Sequence, residues 1–226
     1  ERYADEVHIS FEDSKKYLRR KEKTILTGNP VRKNLGTENK VTALQKFGLI
    51  QDSKTLLVLG GSLGAASINN AVVNNIARLE QSGIQVIWQT GANYFDDHQK
   101  YTSKSVKVYE FIDDMNAAYS ACDLLLARAG ATTIAEILVL GVPSILVPSP
   151  NVAENHQYYN AKSLSDNNAA VLLKDDELNS GFSESVISII ESKDKLNELK
   201  SNAVKLAKPD AAKNIAINAL KYMEAV

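Results

Sequence analysis

Three stretches carry residue types that handle anions and sugars, and each follows an apolar run. The first is Gly60-Gly61-Ser62-Leu63-Gly64-Ala65. Consecutive glycines let the backbone turn sharply and approach a ligand. A helix start behind them offers unpaired N–H groups to a phosphate. A tight turn with no ligand would use the same glycines. No Lys-Ser/Thr follows, so this is not a P-loop. The GxGxxG dinucleotide fingerprint is broken as well, by Ser62 at its second glycine and Ala65 at its third. The next apolar run ends Trp88-Gln89-Thr90, with no acid for an NAD ribose, which argues against a dehydrogenase.

The second stretch is Arg128-Ala129-Gly130-Ala131-Thr132-Thr133-Ile134-Ala135-Glu136. Gly130 permits close approach, and the residues after it open a helix whose N–H groups suit a diphosphate. Glu136 lies four residues beyond Thr132 on the same helix face, a rise of ~6 Å. That is about the distance from a diphosphate to the ribose of the same nucleotide. A carboxylate there accepts from both ribose hydroxyls. An exposed helix glutamate is the plain alternative, but a lone acid in an otherwise apolar helix needs a reason.

The third stretch is Asn155-His156-Gln157-Tyr158-Tyr159-Asn160-Ala161. Gln157 and Asn160 share a helix face, and amides that donate and accept suit sugar hydroxyls. Asn155 fits an N-cap. Glu154 and His156 allow acid–base chemistry, but no nucleophile or third partner accompanies them. Asp113-Asp114 reads as a helix cap rather than a metal site. Cys122, Tyr158 and Tyr159 read as packing residues.

These loops need a scaffold, and the chain supplies one by alternation. Apolar runs at Thr55–Leu59, Ile84–Trp88, Val106–Tyr109, Leu124–Leu126, Ser144–Val147 and Ala169–Leu172 read as strands. Helical patterns fall at Ala66–Leu79, Asp114–Ser120, Thr132–Leu140 and Asn155–Ser165. Repeated βα units predict a mostly parallel sheet with helices on both faces. From about Asp176 the chain reads as two or three helices, with Pro209 between the last two. Before residue 50, Val7–Phe11 and Thr24–Thr27 are short strand candidates, expected to be the last β-α-β of a preceding domain. Between them lie Lys15, Lys16, Arg19, Arg20, Lys21 and Lys23. This cluster reads as a solvated face, with an anionic membrane surface as the lesser alternative.

The 226 residues carry 26 Lys+Arg against 27 Asp+Glu, so net charge gives no reason to expect nucleic-acid binding. One cysteine rules out an intrachain disulfide and fits a reducing compartment. With three histidines besides, a structural zinc site is disfavoured. No apolar run is long enough to span a membrane. The chain begins at Glu1 without a signal pattern, which fits a fragment of something longer.

Five segments in order resemble the MurG family of bacterial GlcNAc transferases. They are Gly28-Asn29-Pro30-Val31-Arg32, the Gly60–Ala65 loop, Phe111-Ile112-Asp113-Asp114-Met115, the Arg128–Glu136 stretch and His156-Gln157-Tyr158-Tyr159-Asn160-Ala161. The resemblance covers nearly the whole chain. It implies one half of a two-domain GT-B glycosyltransferase, α/β with a Rossmann-like parallel sheet. Residues 1–33 would be the end of the amino-terminal acceptor domain and its linker. Residues 34–226 would be the carboxyl-terminal UDP-GlcNAc-binding domain.

The implied reaction moves GlcNAc, with inversion, from UDP-GlcNAc to the 4-hydroxyl of a lipid-linked MurNAc-pentapeptide. That step belongs to peptidoglycan and cell-wall biogenesis, and through it to cell shape and division. The implied place is peripheral, on the cytoplasmic face of the inner membrane, against an anionic surface for the full-length protein. No metal or other cofactor and no nucleic acid is implied. By resemblance, Arg32 and the Ile112 backbone meet the uracil side and Ser62 the diphosphate. Ala131, Thr132, Thr133, Ile134 and Ala135 form the anion-binding helix start, with N–H groups from Ala131 to Ile134. Glu136 holds the ribose, and Gln157 and Asn160 hold GlcNAc hydroxyls. No catalytic residue is expected in this chain, because the family's likely base lies in the amino-terminal half, and the chain alone is expected to be inactive. Leu63 and His156 stand where family members commonly have Gln. A UDP-GlcNAc 2-epimerase and a non-catalytic nucleotide-sugar module are the alternatives. The Gly28–Arg32 segment, specific to the lipid-linked transferases, discriminates against both.

Overall fold

The computed structural model describes residues 3–223. Strands β1 (Val7–Ile9) and β2 (Thr24–Leu26) pair in parallel, apart from the main sheet. The chain then runs through α1 (Lys40–Lys46), β3 (Lys54–Leu59), α2 (Ala66–Gln81), β4 (Ile84–Gln89), α3 (Phe95–His98) and β5 (Val106–Tyr109). It continues through α4 (Met115–Ala121), β6 (Leu124–Ala127), α5 (Ala131–Leu140), β7 (Ser144–Leu146), α6 (His156–Asp166) and β8 (Val171–Leu172). Helices α7 (Leu178–Glu191), α8 (Lys193–Leu206) and α9 (Ala211–Met223) follow.

The main sheet is parallel throughout, in the order β5-β4-β3-β6-β7-β8. The chain builds outward from β3 to β5, then returns to place β6 on the other side of β3. Strand order therefore reverses between β3 and β6, and the two helices leaving these strands diverge there. That divergence opens a crevice at the carboxyl ends of the strands.

Side-chain alternation along β3 explains the two cores. Leu56 and Val58 point to one face, where they pack with Ile68 and Val72 of α2 and Phe182 and Val186 of α7. Leu57 and Leu59 point to the other, with Leu44 of α1, Ala118 of α4, Ile134 of α5 and Ala161 of α6. Both sets are buried, so the strand reads as a continuous apolar run rather than an alternating one. Each buried Leu or Val contributes roughly 1.5–3 kcal/mol. Small residues on α4 and α6 let those helices come close to the sheet.

Three differences from the sequence pattern have local causes. The link between β1 and β2 is two 3-10 turns, Glu12–Tyr17 and Lys21–Lys23, rather than an α-helix. Its clustered like charges repel at helical spacing, and the link has no apolar stripe to bury. Helix α1 is short but real: the Asn39 side chain accepts from the N–H groups of Val41 and Thr42, and Gly48 closes it. Asn155 stands at the start of α6 without capping it: its φ of 53° is left-handed, not the extended backbone from which an N-cap side chain reaches the helix N–H groups.

Candidate functional site

The crevice between β3 and β6 is a cleft of about 770 Å³. Its first wall is the turn from β3 into α2. Gly64 has φ +88°, and a Cβ there would lie 2.2 Å from the Thr90 carbonyl oxygen. Across from it, Gly91 has φ +83°, and its Cβ would lie 2.1 Å from the Gly64 nitrogen. Two backbones touch here, and only glycine fits either side. Gln89, buried at the end of β4, fastens the same wall. Its Nε2 donates to the Gly61 carbonyl at 3.2 Å, and its Oε1 accepts from the Ile112 N–H at 2.9 Å. Asn69, fully buried in α2, accepts from Trp88 Nε1 and donates to the Thr90 carbonyl, both at 3.0 Å. These bonds fix where α2 begins. No side chain caps that beginning, and Ala65, Ala66 and Ser67 line the cleft.

The second wall is the turn from β6 into α5. Gly130 is the N-cap residue and offers no side-chain cap. The Ile134 N–H bonds the Gly130 carbonyl at 2.9 Å. The N–H groups with no intrahelical partner are therefore those of Ala131, Thr132 and Thr133. Two uncapped helix starts thus border one cleft, each with a partial positive charge.

Arg128 ties these walls to the rest of the sheet. Its guanidinium donates to Ser67 Oγ at 2.8 Å and to the carbonyls of Val147 and Pro148 at 3.2 and 3.3 Å. It also pairs with Asp175 beyond β8, and Ser67 donates to Asp175 Oδ1 at 2.7 Å. One side chain thus joins the carboxyl ends of β6 and β7 to the start of α2.

Glu136 is only 6% exposed, although it sits on the cleft. Tyr119 Oη donates to its Oε2 at 2.7 Å, and Arg32 Nη2 lies 3.4 Å from its Oε1. Burial, and then the neighbouring carboxylate, hold the Tyr119 phenol proton far above its ordinary range. Next to Arg32, Asn29 Nδ2 donates to Thr132 Oγ1 at 3.3 Å, which docks the Gly28–Arg32 segment on the first turn of α5.

Arg32, Thr132, Thr133, Glu136 and Gln157 line this cleft together. Gln157 Oε1 accepts from the Ser149 N–H at 3.0 Å. Ala131 is part of the open helix start, whereas the Ile134 N–H is spent within the helix and Ala135 lies a residue deeper. Ser62 is exposed at the loop tip, its carbonyl accepting from the Ala92 N–H, while Gly61 and Gly64 line the cleft. The Ile112 N–H is held by Gln89 and so is closed to a ligand. Asn160 donates to the Ala129 carbonyl at 3.2 Å and supports the β6–α5 turn from behind. His156 and Glu154 line a separate, mostly apolar hollow beside β1 with Asn160 and Tyr159. Tyr159 is 43% exposed there rather than packed in the core. Asp114 caps α4, its Oδ1 accepting from the Ala117 N–H at 3.0 Å.

Tyr119 and Asp175 are site residues that the sequence pattern does not reveal. Each meets its partner only through the fold: Tyr119 is 17 residues from Glu136, and Asp175 is 47 from Arg128. Among the described residues, no three His, Cys, Asp or Glu side chains converge as a metal site.

Sheet order defines a Rossmann-like α/β domain with its cleft at the strand-order switch. Residues 55–215 match the glycosyltransferase family 28 C-terminal domain, and the chain belongs to that family. The UDP-N-acetylglucosamine–N-acetylmuramyl-(pentapeptide) pyrophosphoryl-undecaprenol N-acetylglucosamine transferase of Christiangramia forsetii is 43% identical over 196 residues, covering 86% of this chain and 54% of that protein. The crystal structure of Acinetobacter baumannii MurG is similar with a TM-score of 0.67 at 26% identity, over 88% of this chain and 58% of that one. The UDP-GlcNAc 2-epimerase of Neisseria meningitidis, crystallised with UDP-GlcNAc, shares the fold at a TM-score of 0.62 and 18% identity, over 96% and 61% of the two chains. The resemblance to MurG read from the sequence is borne out. The chain spans little more than half the length of the curated relatives it matches.

Proposed function

We propose that this chain is the donor-binding part of a GlcNAc transferase, taking UDP-GlcNAc in the cleft between β3 and β6. The observation that carries the reading is the convergence of two uncapped helix starts and the buried Glu136 carboxylate on one cleft. The helix starts suit the diphosphate, and Glu136, about one turn further along α5, suits the ribose diol. Arg32 borders the uracil end, and Gln157, with Ser149 and Asn151 nearby, borders the sugar end. The docking of Gly28–Arg32 on α5 favours a lipid-linked transferase over an epimerase or a non-catalytic module. Residues 1–33 then belong to the end of an acceptor domain and its linker, and 34–226 to the donor domain.

In the reaction, the 4-hydroxyl of a lipid-linked MurNAc-pentapeptide attacks the anomeric carbon as the bond to the diphosphate oxygen breaks. The configuration inverts, UDP departs and the hydroxyl proton passes to a base outside this chain. This chain's part is electrostatic: Ala131, Thr132, Thr133 and the start of α2 stabilise the charge that grows on the leaving diphosphate. The full-length protein would work peripherally at the cytoplasmic face of an anionic membrane. Among the described residues no helix is long and apolar enough to cross one.

Calorimetric titration with UDP and UDP-GlcNAc tests the reading. Binding is expected with and without EDTA, since backbone dipoles supply the anion site. Binding abolished by the chelator, or absent altogether, contradicts it.

A further inference from the structure

The carboxylate of Glu136 is held unequally on its two sides. Its Oε1 faces Arg32, whose side chain is 62% exposed and lies at 3.4 Å. An exposed pair at that distance is weak and readily exchanged for a ligand. Its Oε2 faces Tyr119, which is 4% exposed and donates from 2.7 Å. Tyr119 has no such freedom. It projects from α4, packed in the core with Ile112, Ile134 and Ile137, and α4 is itself fixed by the Asp114 cap. Burial raises its phenol pKa, so it keeps the proton that it donates to the carboxylate at 2.7 Å.

A glutamate has three rotatable side-chain bonds, and a free one must be ordered before it can receive two hydroxyls at once. A carboxylate offers about four lone-pair sites. Tyr119 takes one on Oε2, which leaves Oε1 and the second lone pair of Oε2 for other donors. We propose that Tyr119 is a positioning residue for donor recognition. In this role its hydroxyl holds the Glu136 carboxylate in the orientation that receives the ribose diol. The inference rests on the assignment of Glu136 to the ribose and adds the group that orients it.

The test compares Tyr119→Phe with the parent chain, titrating UDP and 2′,3′-dideoxyuridine diphosphate. Losing one hydrogen bond's worth of orientation should weaken UDP binding about 2- to 10-fold. Affinity for the dideoxy ligand should not change. In a Glu136→Ala background the same substitution should have no effect on UDP, because Tyr119 acts through Glu136 alone. Tyr119→Met, whose flexible apolar chain adapts to the space, is the second hydroxyl-free variant should the phenylalanine protein fail to fold. Equal losses for both ligands, or a loss that persists without Glu136, would make Tyr119 merely structural and overturn the proposal. If Glu136→Ala itself fails to distinguish the ligands, the ribose assignment falls, and this inference falls with it. If Glu136→Ala distinguishes them and Tyr119→Phe does not, only the present inference is lost.

Discussion

At the scale of single residues, the buried acid is what sequence alone makes visible. Glu136 stands out because its helix is otherwise apolar, and the structure finds it almost without solvent contact. Its partners are not visible that way: Tyr119 sits in Met-Asn-Ala-Ala-Tyr-Ser-Ala, a stretch that reads as packing. Asp113-Asp114 shows the reverse case, where local chemistry suffices. Asp114 caps α4 and pairs with Lys46 at 2.9 Å. The Ala117 N–H first, and then Lys46, hold its carboxyl below the ordinary range. Because the folded value lies below the unfolded one, its stabilising contribution is complete above the unfolded carboxylate value, about pH 4. It is lost as pH falls through the lower folded value. Asp114→Asn should therefore narrow its stability gap to the parent chain as acid is added below about pH 4. Urea unfolding at a series of pH values checks this, and a gap that widens in acid contradicts it.

At the scale of elements, the sheet was legible because strands buried on both faces read as unbroken apolar runs, Thr55–Leu59 above all. Helices α1 and α3 were not legible. Each buries too little for a periodic stripe, although the Asn39 cap and Gly48 mark α1 at both ends. The ties between elements were hidden too, since they pair residues far apart in sequence. Arg128 is the main one, joining β6, β7, the start of α2 and Asp175. Arg128→Met keeps much of the side-chain length but strands Asp175 in a largely buried place. It should cost about 2–4 kcal/mol, because removing one partner of a desolvated pair leaves the other charge uncompensated. Chemical unfolding measures this. An unchanged midpoint would mean that the walls of the cleft do not depend on Arg128. Asp175→Asn in the same background should recover part of the loss, since it removes the orphaned charge.

At the scale of the whole molecule, one sheet of reversing strand order places two helix starts and two arginine–carboxylate pairs, Arg32–Glu136 and Arg128–Asp175, on a single cleft. Residues at the two ends of the chain also meet. Lys208 and Ala211 pack on Gly28, and Ala219 and Tyr222 of α9 lie beside Asp5, Glu6 and His8. The Gly28–Arg32 segment is thereby held between the start of α9 and the first turn of α5, so that Arg32 borders the cleft although it precedes β3 in the chain. On the proposed assignment the acceptor and the base lie elsewhere. This chain alone should then show no transfer from UDP-GlcNAc to a lipid-linked MurNAc-pentapeptide analogue, while still binding the donor. Turnover comparable to that of a full-length relative would contradict the division of labour.

The most direct test of the central claim is the affinity of the parent chain and Glu136→Ala for UDP and for 2′,3′-dideoxyuridine diphosphate, with circular dichroism confirming the fold. A hydrogen bond to a charged group is worth about 1.5–3 kcal/mol. Removing the carboxylate should therefore weaken UDP binding roughly 10- to 150-fold, at about 1.4 kcal/mol per tenfold. The dideoxy ligand has no diol to lose, and its affinity should stay nearly constant. Equal losses for the two ligands, or unaltered UDP affinity in a folded variant, would remove Glu136 from the site and contradict the account.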